Sequence, residues 1–440
     1  MLQSIANTIP AGTSDVFGFS ARTRDYVIES IKRVYERYGF EPLYTPILEH
    51  AEVFNGHHGE GEQLLFKLND KLGNQLVLKY DSTVPLARVV SMYPDIPKPY
   101  KRYQLQSSFR DDEVDKGHFR EFIQCDGDIV GAETLLSDAE IAMIAYDGLS
   151  EIGFTDFTIR LNHRKIIQGI AEKSGVFSKE GLLEIQRAID YADKIIKDDL
   201  EGIRKDLKRR QVADDVIVTI CDLVQRITDN PLETLDNIED YLKDCPVAVE
   251  GINELKEILS YIPEAMSSKV RIDFTLARGA DYYTGFILEA VINNIKLGAV
   301  LGGGRFDNLV EAFSSKKVPA VGMAFGLERI LTAMHELNLT EKLNIQPKKV
   351  LITDNGLLQK EIISCAINLR KNFDVSILYG QEEHHHAVDY ARHCGYRVLV
   401  DFKSKSTVEL TSIGEDLCGY AFLVKDKLSW LGYTILEKAI

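Results

Sequence analysis

Five arginines lie in strand-like segments beside glycines or aromatic residues, a setting in which guanidinium groups bind phosphates. They are Arg110 in SSFRDDE, Arg120 in HFREF, Arg278 in LARGADYYTG, Arg305 in GGGRFD and Arg329 in FGLERI. Glycine lets a ligand approach the backbone, and the guanidinium fork matches phosphate geometry. Any one such arginine is more often a surface or ion-pair residue. Because the chain has no P-loop sequence and no HExxH, the group together predicts a triphosphate held by arginines.

Several elements must position these arginines. The spacing of apolar residues predicts that the first is a helix over residues 21–38, and Gly39 is predicted to end it. Its apolar face comprises Val27, Ile28, Ile31, Val34 and Tyr35. Pro42 and Pro46 exclude helix from FEPLYTPILEH, so that segment is extended. The runs QLLFKLND and NQLVLKYD predict a hairpin. Further extended regions cover residues 100–109 and 119–131, with a polar loop between them.

The middle of the chain changes character over residues 165–260, where helix formers and charges dominate and predict a helical insertion. Strand character returns at Val270 and continues through ADYYTGFILEAVINN and AVLGGG. The segment VGMAFGLERILTAMHEL predicts a strand that runs into a helix. After a linker at residues 338–349, the runs VLIT, VSILY, RVLVDF and YAFLV read as strands between helical patterns. This alternation predicts a compact α/β domain.

Composition sets the class of protein. The 440 residues are 45% hydrophobic and 27% charged, which favours a globular chain of two or three domains. A net charge of -15 disfavours indiscriminate nucleic-acid binding but leaves a specific RNA partner open. Residues 347–440 carry 12 basic and 12 acidic residues, so the acidic excess lies before them. Six scattered cysteines without a CxxC pair, no signal-peptide pattern and no long apolar stretch predict a cytoplasmic protein without membrane spans.

In their order along the chain, these segments resemble the histidyl-tRNA synthetase family of class II aminoacyl-tRNA synthetases. FEPLYTPILEH resembles class II motif 1, FRDDE with GHFREFIQCDGDIVG resembles motif 2, and VGMAFGLER resembles motif 3. LARGADYYTG and LGGGRFD resemble the two signatures specific to the histidine enzymes. LKYDSTVP and RLNHRKIIQGI are also similar to that family. QCDGDIVG and LKYDSTVP resemble its eukaryotic and archaeal branch more than its common bacterial form.

The resemblance implies an α+β chain. Its class II catalytic domain is an antiparallel sheet divided between residues 1–165 and 261–338, with a helical insertion at residues 166–260. Residues 347–440 form an α/β domain similar to the family's anticodon-binding domain. The resemblance also implies a homodimer, with Pro46 at the interface.

Histidine recognition follows from the resemblance residue by residue. Asp81 and Thr83 hold the substrate ammonium together with Gln124. Asp128 and Tyr283 bind the two imidazole nitrogens, and Tyr282 lines the pocket. Considered alone, the two tyrosines could equally be aromatic residues packed on a strand. Gln124 and Asp128 could equally belong to the ordinary solvent-facing side of a strand. A carboxylate and a phenol together select imidazole, because an isostere without its nitrogens leaves buried polar groups unpaired.

The resemblance likewise implies that ATP lies along arginines. Arg110 and Arg278 contact the α-phosphate, with Asp112 in the same loop as Arg110, and Arg329 binds the γ-phosphate end. Mg²⁺ accompanies ATP, because it prefers phosphate oxygens. The substrate carboxylate is already ionised and attacks phosphorus directly, so catalysis is positioning and charge stabilisation without a protein base. The acceptor is the 3′ end of tRNA(His).

Two positions depart from the family pattern. The phosphate-binding arginine of the motif 2 loop is His118 here, and a signature leucine is Ala280. Two other functions therefore stay open, a non-catalytic histidine-sensing paralogue similar to the ATP phosphoribosyltransferase regulatory subunit, and an adenylating enzyme with an acceptor other than tRNA. The cluster at residues 382–386 with His393 suits a solvated helix start better than a metal site, because only His386 and His393 share a helical face.

Overall fold

The computed structural model describes residues 7–54, 63–114, 119–193, 199–277, 282–314, 316–343, 349–354, 356, 358–380, 383–413 and 418–438. Contacts divide the chain into two compact units. The first comprises Met1–Asp15 and Arg24–Lys342, and the second comprises Val16–Thr23 and Leu343–Ile440.

Eleven described strands precede residue 343. They are β1 (Glu41–Pro42), β2 (Leu48–His50), β3 (Lys67–Asn69), β4 (Gln75–Leu78), β5 (Tyr100–Phe109), β6 (Glu121–Val130), β7 (Phe157–His163), β8 (Val270–Ile272), β9 (Phe286–Ile292), β10 (Leu301–Arg305) and β11 (Ala320–Gly326). Eight of them form one sheet in the order β1-β5-β6-β11-β10-β9-β7-β8. All neighbours in it are antiparallel except β1/β5 and β7/β8, which confirms the predicted antiparallel sheet.

Twelve described helices begin before residue 343. They are α1 (Gly18–Arg37), α2 (Thr83–Met92), α3 (Leu136–Ile152), α4 (Arg164–Lys173), α5 (Lys179–Asp193), α6 (Leu200–Arg209), α7 (Asp214–Val224), α8 (Pro231–Leu242), α9 (Pro246–Tyr261), α10 (Glu264–Ser267), α11 (Leu327–Glu336) and α12 (Leu339–Lys342). The helix predicted at residues 21–38 is α1, and Gly39 follows it at φ +78° as the predicted stop. Of its predicted apolar face, Val27, Ile31, Val34 and Tyr35 are buried.

Helices α1 and α3 pack against one face of the eight-stranded sheet and leave the other face to the candidate site. Gly127 of β6 lies against the Tyr35 ring, where a Cβ atom would be 2.1 Å from that ring. Gly148 of α3 lies against Phe325 of β11 in the same way. Glycine at these two positions therefore lets helix and sheet approach closely.

A three-stranded sheet, in the order β2-β4-β3, confirms the predicted hairpin, because β3 and β4 are antiparallel. Its turn is closed by Asp70, whose Oδ1 accepts hydrogen bonds from the backbone N–H groups of Leu72 and Asn74, each at 2.8 Å. Val77 of β4 points into the core from this small sheet and is fully buried.

The helices α4 to α9 occupy the stretch predicted to be helical and lie between β7 and β8, which are parallel neighbours in the sheet. Contacts place these helices in the same compact unit as the sheet. The boundaries given above for a separate insertion stay a prediction.

The second unit holds a five-stranded sheet and three helices. Its elements are β12 (Lys349–Thr353), α13 (Gln359–Leu369), β13 (Asp374–Leu378), α14 (His384–His393), β14 (Val398–Phe402), β15 (Thr407–Ser412), α15 (Cys418–Trp430) and β16 (Thr434–Lys438), with the strand order β13-β12-β14-β15-β16. The strand predicted for YAFLV is wrong, because these residues belong to α15. Ala421, Val424 and Leu428 bury one face of that helix in the core, and a run of five apolar residues does not distinguish helix from strand.

Among the described residues, no helix combines the length and the apolar character that crossing a membrane requires.

Candidate active site

The floor of the site is formed by alternate side chains of β5 and β6, because successive residues of a strand point to opposite faces of the sheet. The register pairs Arg102 with Asp128, Gln104 with Asp126, and Gln106 with Gln124. The intervening residues of β6, including Cys125, point to the face covered by α1 and α3. A row of polar and charged side chains thus lies on the free face of an otherwise apolar sheet.

Glycines of β10 and β11 leave space beside this polar row. Gly322 lies opposite Asp128, and a Cβ atom there would be 1.9 Å from Asp128 Oδ1. A Cβ atom on Gly304 would be 3.0 Å from the Tyr283 ring and 2.5 Å from the carbonyl oxygen of Phe286. Both contacts are closer than real Cβ atoms allow without movement, so the glycines of LGGGRFD and VGMAFG keep the pocket open.

Asp128 is held by a buried arginine that sequence reasoning missed. Arg102 Nη2 lies 2.6 Å from Asp128 Oδ2, and the Arg102 side chain is fully buried. Arg102 also donates hydrogen bonds to Gln104 Oε1 and to the carbonyl oxygen of Ser82, each at 3.1 Å. Burial raises the pKa of Asp128 to about 6, with Arg102 opposing the shift and Asp81 adding to it. Asp128 is therefore mostly ionised at pH 7 and accepts hydrogen bonds.

Asp81 lies at the start of α2. Its Oδ1 accepts hydrogen bonds from the backbone N–H groups of Thr83, at 3.1 Å, and Val84, at 3.0 Å. These N–H groups have no partner within the helix, so a carboxylate cap satisfies them. Because Asp81 is only 4% exposed, the cap also fixes the direction of its carboxylate.

Tyr282 and Tyr283 form an edge-to-face pair with ring centroids 4.9 Å apart. Burial raises the pKa of Tyr282 well above its ordinary value, and the charges of Asp81 and Asp126 add to the shift while a hydrogen bond with Thr83 opposes it. Tyr282 therefore stays a neutral phenol beside the carboxylates. Of the six residues predicted to bind histidine, the structure brings five close together, namely Asp81, Thr83, Asp128, Tyr282 and Tyr283. The sixth, Gln124, lies on the same face of β6, four residues from Asp128.

Arg110 follows β5 directly, and its guanidinium lies between two aromatic rings. Its Cζ atom is 4.3 Å from the centroid of Tyr80 and 4.9 Å from that of Phe122. Stacking of this kind orients the planar guanidinium and leaves its edge for a ligand. Asp112, two residues later, is exposed, and its Oδ1 accepts a hydrogen bond from the Glu113 backbone at 2.8 Å.

Arg329 belongs to the first turn of α11, where the sheet passes into that helix. Its Nη1 donates a 2.9 Å hydrogen bond to the carbonyl oxygen of Ala299. The adjacent Glu328 points elsewhere, because its Oε1 lies 2.9 Å from Arg24 Nη2 and accepts from the Ile123 N–H at 3.3 Å. Arg278 and His118 lie outside the described residues.

Arg305 and Arg120 lie against carboxylates of the protein. Arg305 is buried, donates to Asp138 Oδ1 at 2.9 Å and to Asp307 Oδ1 at 3.2 Å, and so ties β10 to α3. Arg120 lies 3.3 Å from Asp111 Oδ1 and donates to the carbonyl oxygen of Asp112 at 3.1 Å. These contacts make Arg305 a residue that stabilises the fold.

Two further charged groups at the floor were missed from the sequence. Lys79 is fully buried and donates to Gln106 Oε1 at 3.1 Å, and burial lowers the pKa of its ammonium to about 8. Asp126 is 2% exposed, and burial raises the pKa of its carboxyl to about 7. The available signal was the alternation of Gln124, Asp126 and Asp128 along one strand.

His384 opens α14 in the second unit and meets two carboxylates. Its Nδ1 lies 2.6 Å from Asp401 Oδ2 and 3.9 Å from Glu409 Oε1. These three side chains are close enough to hold a metal ion. Lys403 Nζ is 3.2 Å from the same Glu409 oxygen. Each acidic group thus has a protein partner, and we assign no metal here.

Comparison with known proteins gives a consistent result. A family model described as histidyl-tRNA synthetase matches residues 12–330. The chain is 36% identical over 358 residues to the histidine–tRNA ligase of Cytophaga hutchinsonii, covering 76% of this chain and 78% of that protein. It is 38% identical over 319 residues to the histidine–tRNA ligase of Aeropyrum pernix, covering 72% and 71%. The solved histidyl-tRNA synthetase from Nostoc sp. PCC 7120 aligns with a TM-score of 0.78 at 26% identity, covering 96% of this chain and 100% of that one.

Proposed function

The chain belongs to the histidyl-tRNA synthetase family, and from this premise we propose that it activates L-histidine with ATP and transfers it to the 3′ end of tRNA(His). The observation that carries the proposal is the pocket floor within the matched region, where an ionised carboxylate, a capped carboxylate and two phenols surround a space kept open by glycines. This set of groups is complementary to the ammonium group and the imidazole ring of histidine.

In the proposed complex, Asp128 accepts a hydrogen bond from one imidazole nitrogen and Tyr283 donates to the other. Asp81, Thr83 and Gln124 bind the substrate ammonium, with Tyr282 against Thr83. The Arg102–Asp128 contact supports this arrangement, because it favours the ionised carboxylate that the imidazole N–H requires.

For adenylation, we assign Arg110 and Arg278 to the α-phosphate, Asp112 to the ATP loop and Arg329 to the γ-phosphate. The substrate carboxylate oxygen attacks the α-phosphorus, the bond to the bridging oxygen breaks, and pyrophosphate leaves. Charge builds up on phosphate oxygens during this step, and fixed guanidinium groups stabilise it. Mg²⁺ enters as the complex with ATP, and phosphate oxygens supply its main ligands.

We propose the following roles for the domains of the chain in activation and transfer. Residues 347–440 read the anticodon, the helices of residues 166–260 form an insertion, and residues 1–165 with 261–338 form the catalytic domain. We also assign the protein to the cytoplasm, on the scattered cysteines described above.

We propose that the outer face of the small sheet forms the interface of a homodimer. Leu48 and Leu68 are 50% and 42% exposed, and the register aligns them with Leu78 and Leu76 on one face of β2-β4-β3. The opposite face carries Val77 into the core. An apolar sheet face turned outward is typical of a protein–protein interface.

The first test is ATP–pyrophosphate exchange with each of the twenty amino acids. We expect exchange with histidine alone, and its loss in Arg278→Ala. If the folded protein binds histidine but exchanges with no amino acid, the regulatory paralogue replaces this proposal, and co-purification with a phosphoribosyltransferase catalytic subunit tests it. If exchange occurs but total tRNA is not charged, the acceptor is a different molecule.

A further inference from the structure

Asp126 is a buried carboxylate on the pocket floor with an unused acceptor. It lies between Gln124 and Asp128 on the same face of β6 and is 2% exposed. Its Oδ2 atom is buried and has no hydrogen-bond partner among the described residues. An acceptor in this state is unfavourable unless a donor arrives, so its position points to a ligand.

The neighbouring polar groups are engaged with one another. Gln104 Nε2 donates to Thr45 Oγ1 at 2.8 Å and to Gln106 Oε1 at 2.5 Å. Lys79 Nζ donates to the same Gln106 oxygen at 3.1 Å, and Arg102 donates to Gln104 Oε1 at 3.1 Å. This chain of hydrogen bonds runs along β5 beside Asp126, and none of these bonds ends on its Oδ2.

The charges that face Asp126 identify the end of the pocket to which it belongs. Arg102 and Lys79 are the cations, and Asp81 and Asp128 are the anions whose fields reach it. The phenol of Tyr282 feels both Asp81 and Asp126 and is hydrogen-bonded to Thr83. Asp126 is therefore close to the Asp81–Thr83 end, where the ammonium group is proposed to bind.

We propose that Asp126 is a second counter-ion for the α-ammonium group of the amino acid, acting with Asp81 and selecting substrates that carry a protonated amine. This inference rests on the proposed function. An ammonium group brings one positive charge and three donors, which suits two carboxylates better than one.

Binding through Asp126 couples to proton release. Burial raises the pKa of this carboxyl to about 7, with Asp128 and Asp81 adding to the shift and Arg102 and Lys79 opposing it. Part of the free protein is thus protonated at this site at pH 7. The incoming ammonium favours the ionised carboxylate, so the proton leaves as histidine binds, and histidine affinity falls as the pH drops below 7.

The test compares two ligands on the full-length Asp126→Asn variant, which keeps the side-chain shape but removes the charge. The ligands are histidine and 3-(imidazol-4-yl)propionate, which lacks only the amine, and both affinities are measured by calorimetry at pH 7. We expect histidine to bind at least tenfold more weakly, while the des-amino analogue keeps its affinity or gains some. Proton release, measured in two buffers of different ionisation enthalpy, is expected to fall in the variant, with a smaller contribution from Asp128 remaining.

Asp156→Asn is the matched control, because Asp156 precedes β7, four strands along the sheet from β6, and is exposed. Equal weakening of both ligands would show a purely structural role and overturn the inference, as would unchanged histidine affinity. If the wild-type protein neither binds histidine nor exchanges pyrophosphate, it is the proposed function that fails.

Discussion

Three aspartates near the pocket floor differ in their contacts and in the pKa of their carboxyl groups. Asp128 lies against Arg102, and this contact limits the rise of its pKa to about 6. Asp126 is equally buried but lacks so close a cation, and its pKa reaches about 7. Asp81 is fixed by two backbone N–H groups. The roles proposed for them differ accordingly: an imidazole acceptor, a proton-coupled counter-ion and a capped anchor.

Arg110 provides the first residue-scale prediction. We expect Arg110→Lys to lower kcat for pyrophosphate exchange by about 10² or more, close to the loss in Arg110→Ala. A lysine keeps the charge but has no planar group to stack between Tyr80 and Phe122, so the charge is no longer aimed at the phosphate.

A matched control for Arg110 is Arg226→Lys, because Arg226 also stacks on an aromatic ring, with Cζ 4.4 Å from the centroid of Tyr241. This variant keeps wild-type exchange. Exchange by Arg110→Lys within threefold of wild type would show that charge alone is sufficient and that stacking has no role.

At the scale of elements, β10 and β11 shape the pocket through positions that carry no side chain. Gly304 and Gly322 lie on the face that carries the polar row of β6, and a side chain at either position would fill the space beside it. Larger residues would also suit a strand, so the local conformation does not explain the glycines. The distances to Asp128 and Tyr283 do explain them.

We expect Gly322→Ala to raise the KM for histidine at least tenfold, because the new methyl group would lie 1.9 Å from Asp128 Oδ1 and would displace it. Overpacking of this kind also lowers stability by about 1–3 kcal/mol. Gly326→Ala on the same strand is the control for stability, since its Cβ would be 3.5 Å from the nearest atom. A wild-type KM in a folded Gly322→Ala protein would contradict the proposed position of the imidazole.

The junction of β7 and α9 gives a prediction about pH. Glu254 Oε2 lies 2.7 Å from His163 Nε2, and its other oxygen lies 2.5 Å from Lys165 Nζ. The hydrogen bond with His163, followed by that with Lys165, lowers the pKa of Glu254 from 4.5 to about 2. A depressed carboxyl pKa stabilises the fold above pH 4.5, and this stabilisation is lost as the pH falls towards 2.

Glu254→Gln is therefore expected to unfold more easily at pH 7, by on the order of 1 kcal/mol because solvent screens the partly exposed pair. The difference from wild type should shrink as the pH falls below 4.5. Urea unfolding between pH 7 and pH 3.5 measures it. Glu250→Gln is the control, because Glu250 also pairs with Lys165 but its side chain is 62% exposed. A constant difference across this range would contradict the assignment.

At the scale of the whole molecule, sequence predicted what periodicity and turn residues encode. Examples are α1 with Gly39 after it, the β3–β4 hairpin, and the strand that runs into α11. Helix α15 was misread, because its burial depends on a core formed by distant residues. Residues at the floor of the site were missed for the same reason, because their burial also depends on residues distant in the sequence.

The residues missed at the site owe their roles to pairing across strands. Arg102 stands in an unremarkable strand sequence, and it is significant only because the β5–β6 register places it on Asp128. Lys79 is similarly buried by contacts that cross from β4 to β5. Arg305 has the local sequence of a phosphate-binding candidate, but it binds Asp138, which lies 167 residues earlier in the chain. Register and long-range partners are not visible in local spacing.

The proposed homodimer gives a prediction at the small sheet. Its outer face exposes Leu48 and Leu68, while its inner face is core. We expect Leu48→Glu with Leu68→Glu to sediment as a monomer at micromolar concentration and to lose exchange, because like charges would face each other across a two-fold interface. Phe177→Glu with Leu232→Glu, which changes two apolar residues among the helices that are at least as exposed, should stay dimeric. A Leu48/Leu68 variant that remains an active dimer would move the interface elsewhere on the molecule.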